Sequence, residues 1–341
     1  MYTAAVIGSH PQDAVAFHRA IVPTFQAKPS HSSKLTISYL PENLPKLAAA
    51  EHAAKVTPLR FELREAGLER LAEARDCDAL VLLASVPQGR TADLTSQVAG
   101  QIAALTQELC ISDLQIVESA LAKLRKVAAA GDETARRVLQ PASKLTELLE
   151  EEQLSKAREL SLKEGAIPKD WGLLCTKAIV AVISLDEADL DRALGQEAAV
   201  AEALGENVSG VVLTCLPLEA ELRALDASEA EELRLSYGLE VPLEARLAAA
   251  LVDALDLAVF YTVNENEARA WAVPKGTTAW EAAGKIHSDM QRGFIKAEVL
   301  SAEDLLAAGS LKEARAKGIA RLEGKGYEVR PEDVLWIRFS A

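Results

Sequence analysis

Short apolar runs alternate with stretches of helical spacing along the first half of this chain and again near residue 180. Thr3–Gly8, Asp78–Ser85, Ala178–Ser184 and Val208–Cys215 are almost wholly apolar. Runs of that length without alternation predict strands buried on both faces, as in a parallel sheet. Residues 12–22 and the other intervening stretches have helical spacing, so helices on both faces of the sheet complete the prediction.

The pattern changes over residues 96–165. Leu114, Val117, Leu121, Leu124 and Val127 recur at helical spacing. After Gly131-Asp132 the spacing resumes with Ala135, Val138, Leu139, Leu145 and Leu148-Leu149. Two amphipathic stretches joined at a glycine predict a helical hairpin. Lys123, Arg125, Lys126, Arg136 and Arg137 fall on its predicted solvated face. Residues 218–257 are again helical and strongly acidic. From 258 the order becomes strand, strand, helix, strand, short helix, strand. The first pair is Leu257–Val263 with Ala268–Val273, and Thr278-Ala279-Trp280-Glu281 reads as a capping box opening the helix. This order predicts a small β-grasp unit.

Composition adds three constraints. The 341 residues are 49% hydrophobic but only 4% aromatic, so the cores rest on Leu, Val, Ile and Ala and the length suits two or three compact units. No run is long and apolar enough for a membrane helix, and the N-terminus lacks a signal-peptide pattern, so a cytoplasmic protein without a membrane partner is expected. Cys77, Cys110, Cys175 and Cys215 are widely spaced and read as free thiols in a reducing compartment. The net charge of −14 lies wholly in residues 1–257, whereas residues 258–341 carry 12 Lys/Arg against 12 Asp/Glu. An acidic body disfavours broad nucleic-acid binding, so an RNA contact is expected on the neutral C-terminal unit. His10, His18, His31, His52 and His287 show no ligand spacing, and no metal site is expected.

The C-terminal motifs are specific. Ala268-Arg269-Ala270-Trp271-Ala272-Val273, Gly276-Thr277-Thr278-Ala279, Gly284-Lys285-Ile286-His287-Ser288-Asp289, Gly293-Phe294-Ile295-Lys296-Ala297-Glu298-Val299 and Asp333-Val334-Leu335-Trp336-Ile337-Arg338-Phe339 closely resemble the TGS domain of the Obg-like ATPase (YchF) family. The resemblance implies a TGS β-grasp domain that touches RNA or the ribosome. Lys285, His287, Arg292 and Lys296 are then the candidate RNA contacts. Trp271, Trp280 and Trp336 are assigned to the core rather than to base stacking.

The same resemblance implies that the body is a P-loop-type G-domain interrupted by the hairpin. Its motifs are altered. A phosphate loop GxxxxGKS/T needs glycines for the cradle, a lysine against the charge and a hydroxyl for Mg²⁺. Here Gly8 is in place, but Asp13, Ala14 and Val15 stand for the second glycine, the lysine and the hydroxyl residue. The DxxG motif becomes Arg64-Glu65-Ala66-Gly67, and the base-reading Asn-x-x-Glu becomes Ser184-Leu185-Asp186-Glu187. The expected fold is therefore a degenerate P-loop-NTPase-like α/β parallel-sheet domain over 1–100 and 166–257, a helical hairpin insertion over 101–165, and a TGS domain over 258–341. The leading functional expectation is a non-catalytic pseudo-NTPase without cofactor. It would bind the ribosome or another RNA-containing partner through the TGS domain, with its acidic body against ribosomal proteins. Two alternatives stand beside it. One is an ATP- or GTP-binding member of the family, with Mg²⁺, an altered site and weak hydrolysis, its missing cation drawn from Arg19, Arg64 or a partner. The other is a protein–protein scaffold.

Overall fold

The computed structural model describes residues 1–9, 11–21, 34–87, 94–163 and 165–340. His10 and His31 lie outside the described residues. The chain divides into two compact units, residues 1–37 with 61–251 and residues 38–60 with 252–341.

In the first unit the apolar runs form the predicted sheet. β1 (Tyr2–Gly8), β2 (Lys34–Tyr39), β4 (Leu59–Glu65), β5 (Ala79–Ser85), β6 (Ala178–Ser184) and β7 (Gly210–Thr214) are ordered β2-β4-β1-β5-β6-β7, and β3 (Val56–Thr57) belongs elsewhere. β1 pairs in parallel with β4 and β5, β5 with β6, and β6 with β7. Every residue of β6 is buried, as its unbroken apolar run requires.

The helix Leu94–Ala129 serves two cores. Its first half, through Leu94, Val98, Ile102, Leu105 and Leu109, packs on the sheet with Leu80, Leu82 and Ile183. Its second half, through Val117 and Leu121, packs on Val138, Ala142, Leu145 and Leu149 of the helix Glu133–Glu150. Gly131 makes the turn between them at φ 101°, where a side chain would be strained. Asp132 then caps the second helix by accepting from Ala135 N at 2.7 Å. Asp113 stands at the junction of the two cores, fully buried, and accepts from Leu174 N (3.0 Å), Cys175 N (2.8 Å) and Arg75 Nη1 (2.7 Å).

The second unit is a mixed sheet ordered β11-β10-β12-β8-β9-β3. Its strands besides β3 are β8 (Leu257–Val263), β9 (Ala268–Pro274), β10 (Phe294–Ser301), β11 (Arg321–Glu323) and β12 (Asp333–Phe339). β8 and β9 form the expected antiparallel pair, and β12 joins β8 in parallel, which is the β-grasp crossing. The capping box at Thr278 and Glu281 is present. The helix it opens stops at Ile286. His287, with extended backbone, separates it from Ser288–Arg292.

Residues 38–60 differ from the sequence-based division, which left them in the first domain. They fold with the second unit, where β3 adds in parallel to β9 and Ala268 N donates to Lys55 O at 2.8 Å. Glu51 accepts from Leu311 N at 2.5 Å, and Asn43 Nδ2 donates to Glu332 at 2.8 Å. All of these partners are more than two hundred residues distant in sequence, so no local signal marks them. Among the described residues no helix is long and apolar enough to cross a membrane.

Candidate functional site

Parallel strands carry their C-terminal ends to one edge, where ligands of open α/β sheets bind. Gly8, Ser85, Ser184 and Thr214 end β1, β5, β6 and β7 at this edge, and the altered motifs assemble there. Gln101 of the long helix holds the end of β5, accepting from Ser85 N at 3.0 Å and donating to Ser85 O at 2.8 Å.

A phosphate loop needs an arch of several residues between strand and helix. Here the helix Pro11–Ile21 begins three positions after Gly8. Proline suits that first position, since its fixed φ is helical and its missing N–H costs no bond there. Asp13 consequently lies in the first helical turn. It accepts from Ser9 Oγ at 3.2 Å and from Ser85 Oγ at 3.1 Å. A carboxylate there complements the helix dipole, so Asp13 takes the position that a bound anion takes at other helix N-termini. Ala14 brings no charge, and Val15 faces outward with Gln12, Ala16 and Arg19 along a shallow surface pocket.

The remaining motif residues have structural partners. Arg64 Nε donates to Glu62 Oε1 at 2.7 Å, and that bond raises the guanidinium above its ordinary value. Gly67 precedes a short 3-10 turn just beyond β4. Ser184 Oγ accepts from Leu216 N at 3.2 Å. Glu187, in the first turn of Glu187–Ala193, accepts from the Tyr237 hydroxyl. Neither arginine considered as a replacement cation points to the edge: Arg64 is held by Glu62, and Arg19 is on the outward stripe of its helix. Ser9, Ser85 and Thr214, which complete the edge, carry no motif of their own and were not singled out from the sequence.

In the second unit the four RNA candidates do not share a face. The helix Ala279–Ile286 packs through Ala279, Ala282 and Ala283 on the side of the sheet that carries Ala297 and Val299. Lys285, His287 and Arg292 lie on this side. Lys296 is adjacent in its strand to Ala297 and turns to the other side. His287 Nδ1 accepts from Asp289 N at 3.2 Å as a helix cap, and Arg292 pairs with Asp289.

Trp271 packs against the core as assigned, whereas Trp280 and Trp336 depart from that assignment. Trp280 is 39% exposed, and Trp271 and Trp336 are half-buried. Each indole N–H needs an acceptor and finds one at the rim of the core: Gln291 O (3.0 Å), Thr262 Oγ1 (2.9 Å) and Val263 O (2.7 Å) respectively. All four cysteines are buried and free, and burial pushes the Cys110 thiol up to about 12. Among the described residues no cluster of His, Cys, Asp and Glu suits a metal ion.

Comparison with known proteins follows the same division. A family model for the YchF GTPase C-terminal region, described as a protein of unknown function (DUF933), matches residues 257–340. The ribosome-binding ATPase YchF of Bacillus subtilis (strain 168) is 32% identical over 321 residues, covering 88% of this chain and 87% of the relative. That of Escherichia coli O157:H7 is 33% identical over 244 residues, 71% of this chain and 66% of the relative. The structure of the Schizosaccharomyces pombe YchF GTPase superposes with a TM-score of 0.81 over 99% of this chain and 97% of its own, at 20% identity, and so speaks to the fold. These findings overturn the leading functional expectation. A non-catalytic pseudo-NTPase is not what relatives named as ATPases over most of this chain support.

Proposed function

The chain belongs to the YchF family, and from that premise we propose that it is an ATP- or GTP-binding protein with an altered nucleotide site and weak hydrolysis, acting in the cytoplasm on the ribosome. The observation carrying this reading is the 32% identity to a ribosome-binding ATPase across 88% of the chain. The edge at the C-terminal ends of the parallel strands supports it as the place where open α/β sheets bind ligands.

The residues at that edge do not fit a triphosphate held by a glycine cradle and a lysine. Asp13 is bonded to Ser9 and Ser85, and residue 14 is alanine. No hydrolytic step is assigned to them. With Arg64 engaged by Glu62, the cation that phosphoryl transfer requires is to be drawn from a partner, as an arginine finger is. The β-grasp unit makes the RNA contact, with Lys285, His287, Arg292 and Lys296 as its candidate residues. The acidic first unit faces basic ribosomal proteins.

Phosphate release measured with Mg²⁺ and ATP or GTP, with and without ribosomes, tests the reading. Slow turnover that rises with ribosomes is expected, together with calorimetric affinity weaker than low micromolar. A chain that releases no phosphate at millimolar nucleotide, even on ribosomes, is not of this kind.

A further inference from the structure

On the side of the second sheet opposite the helix Ala279–Ile286, cross-strand register brings together residues that are far apart in sequence. Lys296 pairs with Arg338, and Glu298 with Trp336, between β10 and β12. Arg315, in the helix Leu311–Ala316, closes over the same spot.

Glu298 is 3% exposed and holds this arrangement. Arg315 Nε and Nη2 donate to its two oxygens, each at 2.7 Å, and Arg338 Nη2 donates at 3.0 Å. A buried carboxylate gripped by a planar fork and a second guanidinium is well satisfied. Both arginine side chains are nonetheless about half exposed, at 51% and 52%. Their remaining N–H groups, Nη1 of Arg315 and Nε and Nη1 of Arg338, are therefore available on the surface side. With Lys296 exposed beside them, three cations surround one carboxylate, a local excess of two positive charges within residues 258–341, which as a whole carry 12 Lys/Arg against 12 Asp/Glu. Glu51 is a further acidic group near Arg315; accepting from Leu311 N leaves its charge in place, so it lowers the local excess to about one positive charge. Trp336, its indole fixed by Val263 O, adds a partly buried ring beside the cations.

We propose that Lys296, Arg315, Arg338 and the ring of Trp336 form a preorganised surface for the phosphate backbone and an unstacked base of single-stranded RNA. This rests on the ribosome-binding reading and locates its RNA contact. Phosphate recognition gains when cations are already held in place, since little side-chain freedom is lost on binding. Here the buried Glu298 holds the two guanidinium groups. Stacking on a fixed aromatic ring is how unpaired bases are usually engaged.

The test uses the full chain, a fluorescent oligouridine, ribosomes and a polyglutamate peptide. Lys296→Ala/Arg338→Ala keeps the two-bond Arg315–Glu298 pair, and Lys296→Glu does not touch the buried carboxylate at all. Thermal melts confirm the fold of both. The double variant is expected to bind oligouridine roughly tenfold more weakly at low salt. Its slope of log K against log salt becomes shallower by about 1 to 2, near 0.7 per lost phosphate contact. Its ribosome pelleting falls in parallel, and Lys296→Glu weakens binding in the same direction. Folded variants that match the parent in affinity and slope overturn the surface while leaving ribosome binding intact. So does a loss that follows Lys285→Ala/Arg292→Ala instead, or a surface that takes polyglutamate in preference to RNA. A parent that binds oligouridine through these residues but never pellets with ribosomes upholds the surface and removes the ribosomal reading. A parent that binds neither removes both.

Discussion

At the scale of single residues, two carboxylates govern the two candidate sites with opposite effects on charge. Asp13 puts a negative charge where a nucleotide phosphate needs the opposite. At an effective dielectric of 20, two such charges about 4 Å apart repel by roughly 4 kcal/mol. Asp13→Asn removes the charge and keeps an oxygen acceptor for one of the two serines, while its amide N–H can donate to the hydroxyl of the other. ATP affinity is expected to rise by about one to three orders of magnitude in calorimetry, and an unchanged affinity would place the nucleotide elsewhere. Glu298 acts in the other direction, because it organises cations. Arg315 first, and then Arg338, hold its carboxyl below the ordinary value of 4.5. A depressed folded value contributes stability that is complete above pH 4.5 and is lost as pH falls through that lower value. Chemical denaturation of Glu298→Gln is therefore expected to show less stability than the parent at neutral pH and a flatter decline below pH 4.5. Parallel acid limbs for the two proteins would mean that Glu298 gains nothing from its arginines.

At the scale of elements, the hairpin and the sheet share one helix, and their joint is polar. Asp113 has no exposure and, among the described residues, a single formal counter-charge, Arg75, which also donates to Ser112 Oγ at 2.6 Å and to Gly172 O at 3.0 Å. Removing one partner of a buried pair leaves the other desolvated and costs about 3–5 kcal/mol. Arg75→Ala should sit near the lower end of that range in urea unfolding, because Leu174 N and Cys175 N still donate to Asp113. A loss below about 1 kcal/mol would show that water replaces the guanidinium freely. The helix after β1 is the other informative element. It starts at Pro11, three positions after the end of β1.

At the scale of the molecule, the chain separates its tasks by charge. The whole −14 lies before residue 258, and the β-grasp strands and helices after it are neutral in sum. Cationic contact with RNA therefore has to be concentrated at particular places in the second unit, since the remainder of the protein repels a polyanion. Lys296, Arg315 and Arg338 are one such concentration, and Lys285 and Arg292 lie on the opposite side of the same sheet. The first unit keeps the sheet order that gathers β1, β5, β6 and β7 at one edge, while its motif residues have become partners of one another and of Ser85, Leu216 and Tyr237.

The sequence by itself determined whatever depends on neighbours along the chain. Unbroken apolar runs specified β1, β5, β6 and β7, helical spacing and Gly131 specified the hairpin, and the Thr278 capping box specified the start of its helix. That no Gly-Lys-Ser/Thr run follows β1, where Asp13, Ala14 and Val15 stand, was equally plain. Only the tertiary structure decided what depends on residues meeting from a distance. It carried β3 into the second sheet and set Asp13 against Ser85. It moved Trp280 and Trp336 to the rim of their core, where backbone acceptors were waiting. It also brought Arg315 and Arg338 to Glu298, although the period-two spacing of Trp336 with Arg338 and of Lys296 with Glu298 already placed each pair on one face. The physical reason is the same throughout: periodicity reports which face of an element is apolar, whereas the partner of a buried polar group is set by strand order and register, which no single segment encodes.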